Sequence, residues 1–205
     1  MNTPQFIKPF GPTIYSNNIS DDIFKLLNEV KDTSIERGEN VGHQLAGFLE
    51  NQLRFYLTDD QFLKIFDHIV QHVNIYMGIS NGKDRYFLPR DSIWMNVQHK
   101  SEFNPMHRHS GAISGVIYLD IPPEILLEQR VKQTSSLFNG FGEIAFYYGD
   151  GSMCSKNFYI TPKNKQILLF PAELEHGVFP FYSNVLRISI AFNLYEHNPA
   201  HVQYS

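Results

Sequence analysis

Val185-Leu186-Arg187-Ile188-Ser189-Ile190-Ala191-Phe192 alternates between two kinds of residue. Side chains along a strand point to opposite faces with period two. Ile188, Ile190 and Phe192 therefore share one face, suited to packing on apolar neighbours, and Arg187, Ser189 and Ala191 share the other. An arginine in such a strand needs a partner, because an unpaired guanidinium is costly to bury. Either an Asp or Glu of the chain meets it, or the carboxylate of a ligand does, held bidentately by the arginine and touched by the Ser189 hydroxyl.

The same period runs outward from this stretch. Residues 92–98, 114–121, 142–148, 166–170 and 186–194 all read as strands, separated by clusters of Gly, Pro, Asn and Ser. The 17 Phe and 11 Tyr favour strands and bulky cores. Toward the N-terminus the period changes. Residues 5–19 form an irregular or extended lead-in broken by Pro9, Gly11 and Pro12. Ser20 is placed to cap a helix that opens with Asp21 and Asp22 and carries Ile23, Leu26, Leu27 and Val30 on one stripe. A polar stretch runs from Gly38 to Gly47. Thr58-Asp59-Asp60-Gln61 has the capping-box form. Phe62, Phe66, Ile69, Val73 and Tyr76 then predict a helix to about Met77, closed by Gly78. The fold class expected is α+β, with the helices packed on one face of a β-sandwich or barrel. One domain over 1–205 is expected, about 1–90 helical and about 91–195 forming the β core. The 122–140 connection is long, with a short helix over 124–132 and a mobile segment over 133–140 that suits a lid or binding loop.

Composition limits the functions. The net charge of −4 provides no bulk attraction to nucleic acid or anionic membrane. A single cysteine, Cys154, excludes a disulfide framework and points to a reducing compartment; an incidental residue is the simpler reading than a nucleophile. The first ten residues lack a signal-peptide pattern, and no apolar run approaches the ~20 residues of a membrane span. A cytoplasmic protein is expected.

Three histidines carry the chemistry. In an extended segment His107 and His109 point to the same side, where both can reach one ion, while Arg108 points away. His176 follows the apolar run 167–170 and Pro171, in a loop or at a strand entry near a sheet edge, from which it can bring a third ligand. Imidazoles suit iron, copper, zinc and nickel. Chance pairs at this spacing are common, and it is Arg187, with its need for an anion, that raises the site above them. His68 and His72 lie one helical turn apart, but Ile69 stands where a zinc-protease helix has Glu, so an ordinary partly exposed pair is expected. His99 reads as a loop residue, and His197 and His201 as exposed.

The order of these motifs resembles a family. His107-Arg108-His109, the distant His176 and Arg187-Ile188-Ser189 look like the H-x-[DE]…H…R-x-S pattern of iron(II)- and 2-oxoglutarate-dependent oxygenases. The stretches Asn104 to His109, Ser114 to Leu119, Leu169 to Val178 and Arg187 to Asn193 are similar, more narrowly, to a bacterial and phage branch distantly like prolyl 4-hydroxylases. The resemblance covers about 92–194. It implies a double-stranded β-helix (jelly-roll, cupin-like) core and the use of Fe(II), 2-oxoglutarate and O2 in a hydroxylation that converts 2-oxoglutarate to succinate and CO2. It also implies His107, His109 and His176 as metal ligands, with Arg187 and Ser189 on the distal carboxylate of 2-oxoglutarate. Trp94, Asn96 and Gln98 share a strand face that either lines the pocket or belongs to an ordinary amphipathic strand, Tyr118 is a further candidate lining residue, and one of Tyr147 and Tyr148 is expected to face inward. The chain departs from the pattern at His109, where the superfamily usually has Asp or Glu. Three neutral imidazoles leave a divalent ion at +2, against +1 with one carboxylate. Compensation would come from the doubly anionic cosubstrate, or Glu102, Glu173 or Glu175 would replace one histidine. The alternative class is a cupin-like three-histidine metalloprotein that does not use 2-oxoglutarate: a thiol dioxygenase, an isomerase or a binder.

Overall fold

Alternation along the strands decides how the chain folds on itself. The computed structural model describes residues 3–9, 11–42, 49–131, 140–149 and 157–197. In chain order the elements are β1 (Gln5–Ile7), β2 (Ile14–Asn18), α1 (Asp21–Arg37), β3 (Asn51–Arg54), α2 (Asp59–Met77), β4 (Tyr86–Phe87), β5 (Ile93–Gln98), β6 (Asn104–His107), β7 (Ile113–Asp120), α3 (Pro123–Val131), β8 (Ile144–Tyr147), β9 (Asn157–Ile160), β10 (Gln166–Pro171), β11 (Glu175–Val178) and β12 (Arg187–Glu196). They form two antiparallel sheets. The major sheet runs β1-β2-β10-β7-β12-β5-β3, with β4 beside β12; the minor sheet runs β6-β11-β8-β9. From β5 to β12 the chain passes back and forth between the two sheets, which is the winding of a jelly roll.

The major sheet is buried on both faces. Ile93, Met95 and Val97 of β5, Ile113, Ile117 and Leu119 of β7, Ile167 and Leu169 of β10, and Ile188, Ile190 and Phe192 of β12 pack under Ile23, Leu27 and Val30 of α1 and Ile65, Ile69 and Val73 of α2. Each side chain so buried contributes about 1.5–3 kcal/mol, so this helix-covered layer is the main source of stability. The alternate residues Val116, Tyr118, Leu168 and Phe170 turn into the sandwich and meet Ile144, Phe146, Ile160 and Leu174. Gly115 fits its place because of Phe192, its partner across the ladder: a Cβ there would stand 2.2 Å from the Phe192 ring.

Helix ends follow the sequence with one exception. In α2 the Gln61 amide donates to Thr58 Oγ1 at 3.3 Å and the Thr58 amide to Gln61 Oε1 at 2.9 Å, completing the capping box. Gly38 and Gly78 close α1 and α2 in the left-handed conformation. Ser20 occupies the N-cap of α1, but its side chain makes no capping bond.

The lead-in takes the extended form of the two expected: β1 and β2 continue the major sheet beyond β10. Strands of three and five residues carry too few alternating positions to stand out individually in sequence. His176 takes the strand-entry place of the two expected, as the second residue of β11 beside the edge strand β6. His72 is buried, with His68 half-buried, so the pair is not uniformly exposed. Burial lowers His68 and takes His72 down to about 4. The Tyr15 hydroxyl, 2.7 Å from His72 Nδ1, and His68 Nε2, 3.1 Å from His72 Nε2, satisfy its ring. Helix α3 falls within the connection read as helical, whereas residues 133–139 of that connection, Gly47, Cys154 and His201 lie outside the described residues.

Candidate metal centre and adjoining pocket

The histidines meet because β6 and β11 are neighbours. His107 and His176 are directly paired across this ladder. His109 lies just beyond β6, where its amide donates to the Ala172 carbonyl at 3.0 Å. Ala172 and Ala112 are in turn bonded, and Gly111, at φ 116°, lets the backbone turn against the Leu194 carbonyl. The result is one cluster: the ligating nitrogens of His107, His109 and His176 all lie within 4.8 Å of one another. Among the described residues it is the only such group of three.

Backbone carbonyls fix two of the rings. His107 Nδ1 lies 2.7 Å from the Pro105 carbonyl, and His176 Nδ1 lies 2.8 Å from the Leu174 carbonyl. A carbonyl only accepts, so in each ring Nδ1 carries the proton and Nε2 keeps its lone pair. Such bonds are what orient a metal-binding imidazole. Burial lowers His107, takes His109 down to about 4 and His176 down to about 3, so the rings stay neutral at pH 7, as a ligand must be. Phe146 and Phe170 wall His176, and Trp94 meets His109 edge-on with centroids 5.8 Å apart.

The carboxylates considered as substitutes stand elsewhere. Glu175 pairs with Arg108 at 2.6 Å on the outer side of the strands, as alternation requires. Glu102 accepts from the His99 amide at 2.7 Å and the Glu50 amide at 3.0 Å. Glu173 is exposed in the turn after β10. None belongs to the cluster.

The histidines and the arginine strand line one pocket, together with Trp94, Asn96, Tyr118 and Ser189. Arg187 is 2% exposed. Its Nη1 donates to Gln98 Oε1 at 3.2 Å, its guanidinium carbon lies 5.1 Å from the centre of the Tyr118 ring, and its Nε is buried without a hydrogen-bond partner. Among the described residues no carboxylate forms a salt bridge with it, so the simple protein-internal partner is missing. Burial works to lower the guanidinium, yet arginine stays charged in proteins. The Tyr118 hydroxyl is also buried with no hydrogen bond of adequate geometry, and burial pushes it up to about 12, so it is a neutral donor. Trp94 Nε1 and Gln52 Nε2 both donate to Asn96 Oδ1 at 3.1 Å. These residues fit a group with an anionic end: a buried cation, an idle hydroxyl and the Ser189 side of β12 share a cavity with three neutral imidazoles.

Two outcomes differ from the sequence reading. Neither Tyr147 nor Tyr148 faces this pocket; both line an outer cleft with Arg108 and Glu175. Ile144 and Phe146 take the inward positions of β8, which turns Tyr147 outward, and Tyr148 lies past the strand. Gln98 lines the pocket with Trp94 and Asn96, its companions on one face of β5, whereas Ser114 and Asn193 were missed. The signal for Asn193 was the same alternation, since it follows Arg187, Ser189 and Ala191. His99 lies beyond β5 with Nε2 3.1 Å from Asn51 Nδ2, and His197 is exposed.

Residues 92–193 match the model of a family described as "Putative 2OG-Fe(II) oxygenase". No curated protein sequence matches the chain. Among solved structures, a prolyl-4-hydroxylase from Pseudomonas putida is similar at 14% identity and a TM-score of 0.54, over 90% of this chain and 92% of that one. A prolyl hydroxylase from Trichoplax adhaerens, in complex with a hypoxia inducible factor oxygen degradation domain peptide fragment, gives 12% identity and a TM-score of 0.57 over 91% and 84%. The HygX protein of Streptomyces hygroscopicus, with nickel and 2-oxoglutarate bound, gives 10% and 0.50 over 88% and 81%. At such identities these likenesses establish the fold: α+β, a jelly-roll core with the N-terminal helices on one face. Residues 92–193 thus match a family of iron(II)- and 2-oxoglutarate-dependent oxygenases, whose chemistry uses Fe(II), 2-oxoglutarate and O2, and the jelly-roll fold is consistent with that match.

Proposed function

We propose that this oxygenase is a hydroxylase whose iron is held by His107, His109 and His176, and whose Arg187 anchors 2-oxoglutarate. The observation that carries the reading is the buried Arg187, with an unpartnered Nε and no carboxylate partner among the described residues, in the pocket that the three histidines line. When bound, the iron and 2-oxoglutarate supply O2 activation with loss of CO2 and formation of succinate. The chain's own residues bind, orient and shield. His107 and His176 present Nε2 because Pro105 and Leu174 hold their Nδ1 protons. Arg187, the Ser189 hydroxyl and the idle Tyr118 hydroxyl receive the distal carboxylate through charge-assisted hydrogen bonds. Phe146, Phe170 and Trp94 exclude water around the imidazoles. The substrate is a small molecule or a peptidyl side chain that presents a C–H bond at the pocket mouth. The two prolyl hydroxylases among the fold neighbours keep a peptidyl substrate within the range to screen. A three-histidine metalloprotein without 2-oxoglutarate has no use for a buried unpaired guanidinium, so the family match and Arg187 both count against that alternative.

The test is anaerobic titration with Fe(II) and then 2-oxoglutarate. A visible charge-transfer band that saturates with 2-oxoglutarate is expected in the wild type and should be lost when His176 is replaced by Ala. No band at saturating cosubstrate would refute the proposed ligand set. Succinate formation with a panel of small-molecule and peptide acceptors, with mass spectrometry for a gain of one oxygen atom, then tests hydroxylation.

A further inference from the structure

We infer that Gln98 gives the pocket its preference for a dicarboxylate, by holding Arg187 in place without neutralising it; this rests on the reading of Arg187 as the anchor for 2-oxoglutarate. Gln98 ends β5 directly opposite Arg187 of β12 and is 1% exposed. Its Nε2 donates to the Glu102 carbonyl at 2.7 Å and to the Phe179 carbonyl at 3.2 Å. Two carbonyls accept and cannot donate, so the amide has one orientation, with Oε1 turned to Arg187 Nη1. Flipping it would set NH2 against the guanidinium N–H groups and oxygen against two carbonyl oxygens.

An amide oxygen takes one guanidinium N–H and no charge. A carboxylate in the same place would pair with Arg187 and compete with any ligand carboxylate. The nearby acid of the chain does not compete, because the Glu102 side chain is turned to the His99 and Glu50 amides while only its backbone carbonyl serves Gln98. Gln98 is thus a positioning residue. It leaves Nε of Arg187 without a partner among the described residues and keeps the charge available to the pocket.

The test compares wild type, Gln98→Glu, Gln98→Met and Arg187→Met, each loaded with Mn(II). Calorimetry measures affinity for 2-oxoglutarate and for 2-oxopentanoate, which has the same chain length and keto acid but no distal carboxylate. Emission of the single tryptophan, Trp94, reports metal affinity separately. Wild type should prefer 2-oxoglutarate by about a hundredfold, the scale of a charge-assisted carboxylate contact. In Gln98→Glu that preference should fall at least about tenfold while metal affinity stays unchanged. Gln98→Met keeps the charge of Arg187 but frees its orientation, so its loss should be smaller. If Gln98→Glu keeps the preference while Arg187→Met loses it, the inference about Gln98 fails and the anchor stands. If Arg187→Met keeps it too, the anchor itself fails and the inference with it. A matching loss of metal affinity in the Gln98 variants, or a larger loss with Met than with Glu, would mark Gln98 as merely structural and overturn the inference.

Discussion

Replacing Arg187 by Met separates a residue that holds the fold from one held ready for a ligand. Met has similar length and no charge, so three terms change in the ligand-free protein. Removing a buried, incompletely paired charge in favour of an apolar side chain is stabilising by about 1–4 kcal/mol. Against this, the contact with the Tyr118 ring is lost, worth about 0.5–2 kcal/mol. Gln98 Oε1 also loses its donor, at a cost of about 1–3 kcal/mol. At mid-range the terms nearly cancel, leaving a net loss of about 1 kcal/mol in apo stability, or about 2–4 °C in Tm for a chain of this size. The ligand response should change far more. At a hundred times its Kd, 2-oxoglutarate stabilises the wild type by about 2.7 kcal/mol, or about 5–10 °C. Arg187→Met should lose that increment at the same concentration. The assay is thermal unfolding of Mn(II)-loaded protein with and without 2-oxoglutarate. A drop in apo Tm well beyond 8 °C would show that the guanidinium is a structural tie, and a retained ligand-induced shift would show that the anchor lies elsewhere.

Other outcomes follow from the same geometry. Because Trp94 is the sole tryptophan and stands edge-on to His109, its emission should be quenched saturably by Ni(II) or Fe(II), and His176→Ala should abolish the quenching at low metal concentration. Metal bound at full affinity with unmoved emission would place it away from His109. His109→Ala should weaken metal binding at least about tenfold, whereas His109→Asp should restore it and tighten Fe(II) in the absence of 2-oxoglutarate, since a carboxylate offsets one charge; equal affinity in wild type and His109→Ala would remove His109 from the ligand set. Burial depresses His72 to about 4 in the folded chain against 6.5 when unfolded, so the unfolded state binds more protons between these values. Its contribution is then fully present above about pH 6.5 and declines as pH falls toward 4, by up to on the order of 3 kcal/mol. His72→Gln should flatten the stability profile in that window, and an unaltered slope in urea titrations from pH 4 to 7 would contradict the assignment. Gly115→Ala should destabilise by about 1–3 kcal/mol, because its Cβ would press into the Phe192 ring; an unchanged urea midpoint would mean that the two strands can part freely there.

The sequence made the major sheet legible because both of its faces are buried but by different partners. In β12, Ile188, Ile190 and Phe192 go to the helices while Arg187 and Ser189 line the pocket, and strict alternation carries that division in plain view. The capping box of α2 was equally readable, since its bonds lie within four residues. What stayed hidden depends on pairing across distance. His176 reads as a loop or strand-entry residue, but its pairing opposite His107 and beside Phe146 comes from the register of β11 on β6 and β8. His72 is buried because Tyr15, far away in sequence, reaches it from β2. Gln98 acquires its role from the register of β5 on β12 and from the Phe179 carbonyl, neither of which its sequence neighbours disclose.

Charge connects the two halves of the site. The cluster contains three neutral imidazoles and no carboxylate, and a few residues along the same cavity lies a guanidinium with no acidic partner among the described residues. On the proposed reading a divalent ion therefore enters at +2 beside a +1, in a pocket walled by Phe146, Phe170 and Trp94, where charges are poorly screened. A dianionic ligand bridging the two centres reduces that total to +1. Metal and cosubstrate should then each raise the other's affinity, and linkage requires the two factors to be equal. The histidine at position 109, where a carboxylate is usual, turns from an apparent defect into the reason for that coupling: Asp at 109 would bind the metal well alone and so make the cosubstrate matter less to it. His109→Asp should accordingly shrink the ratio of Fe(II) affinities measured with and without 2-oxoglutarate, and a ratio that stays the same would separate the metal centre from the arginine pocket energetically.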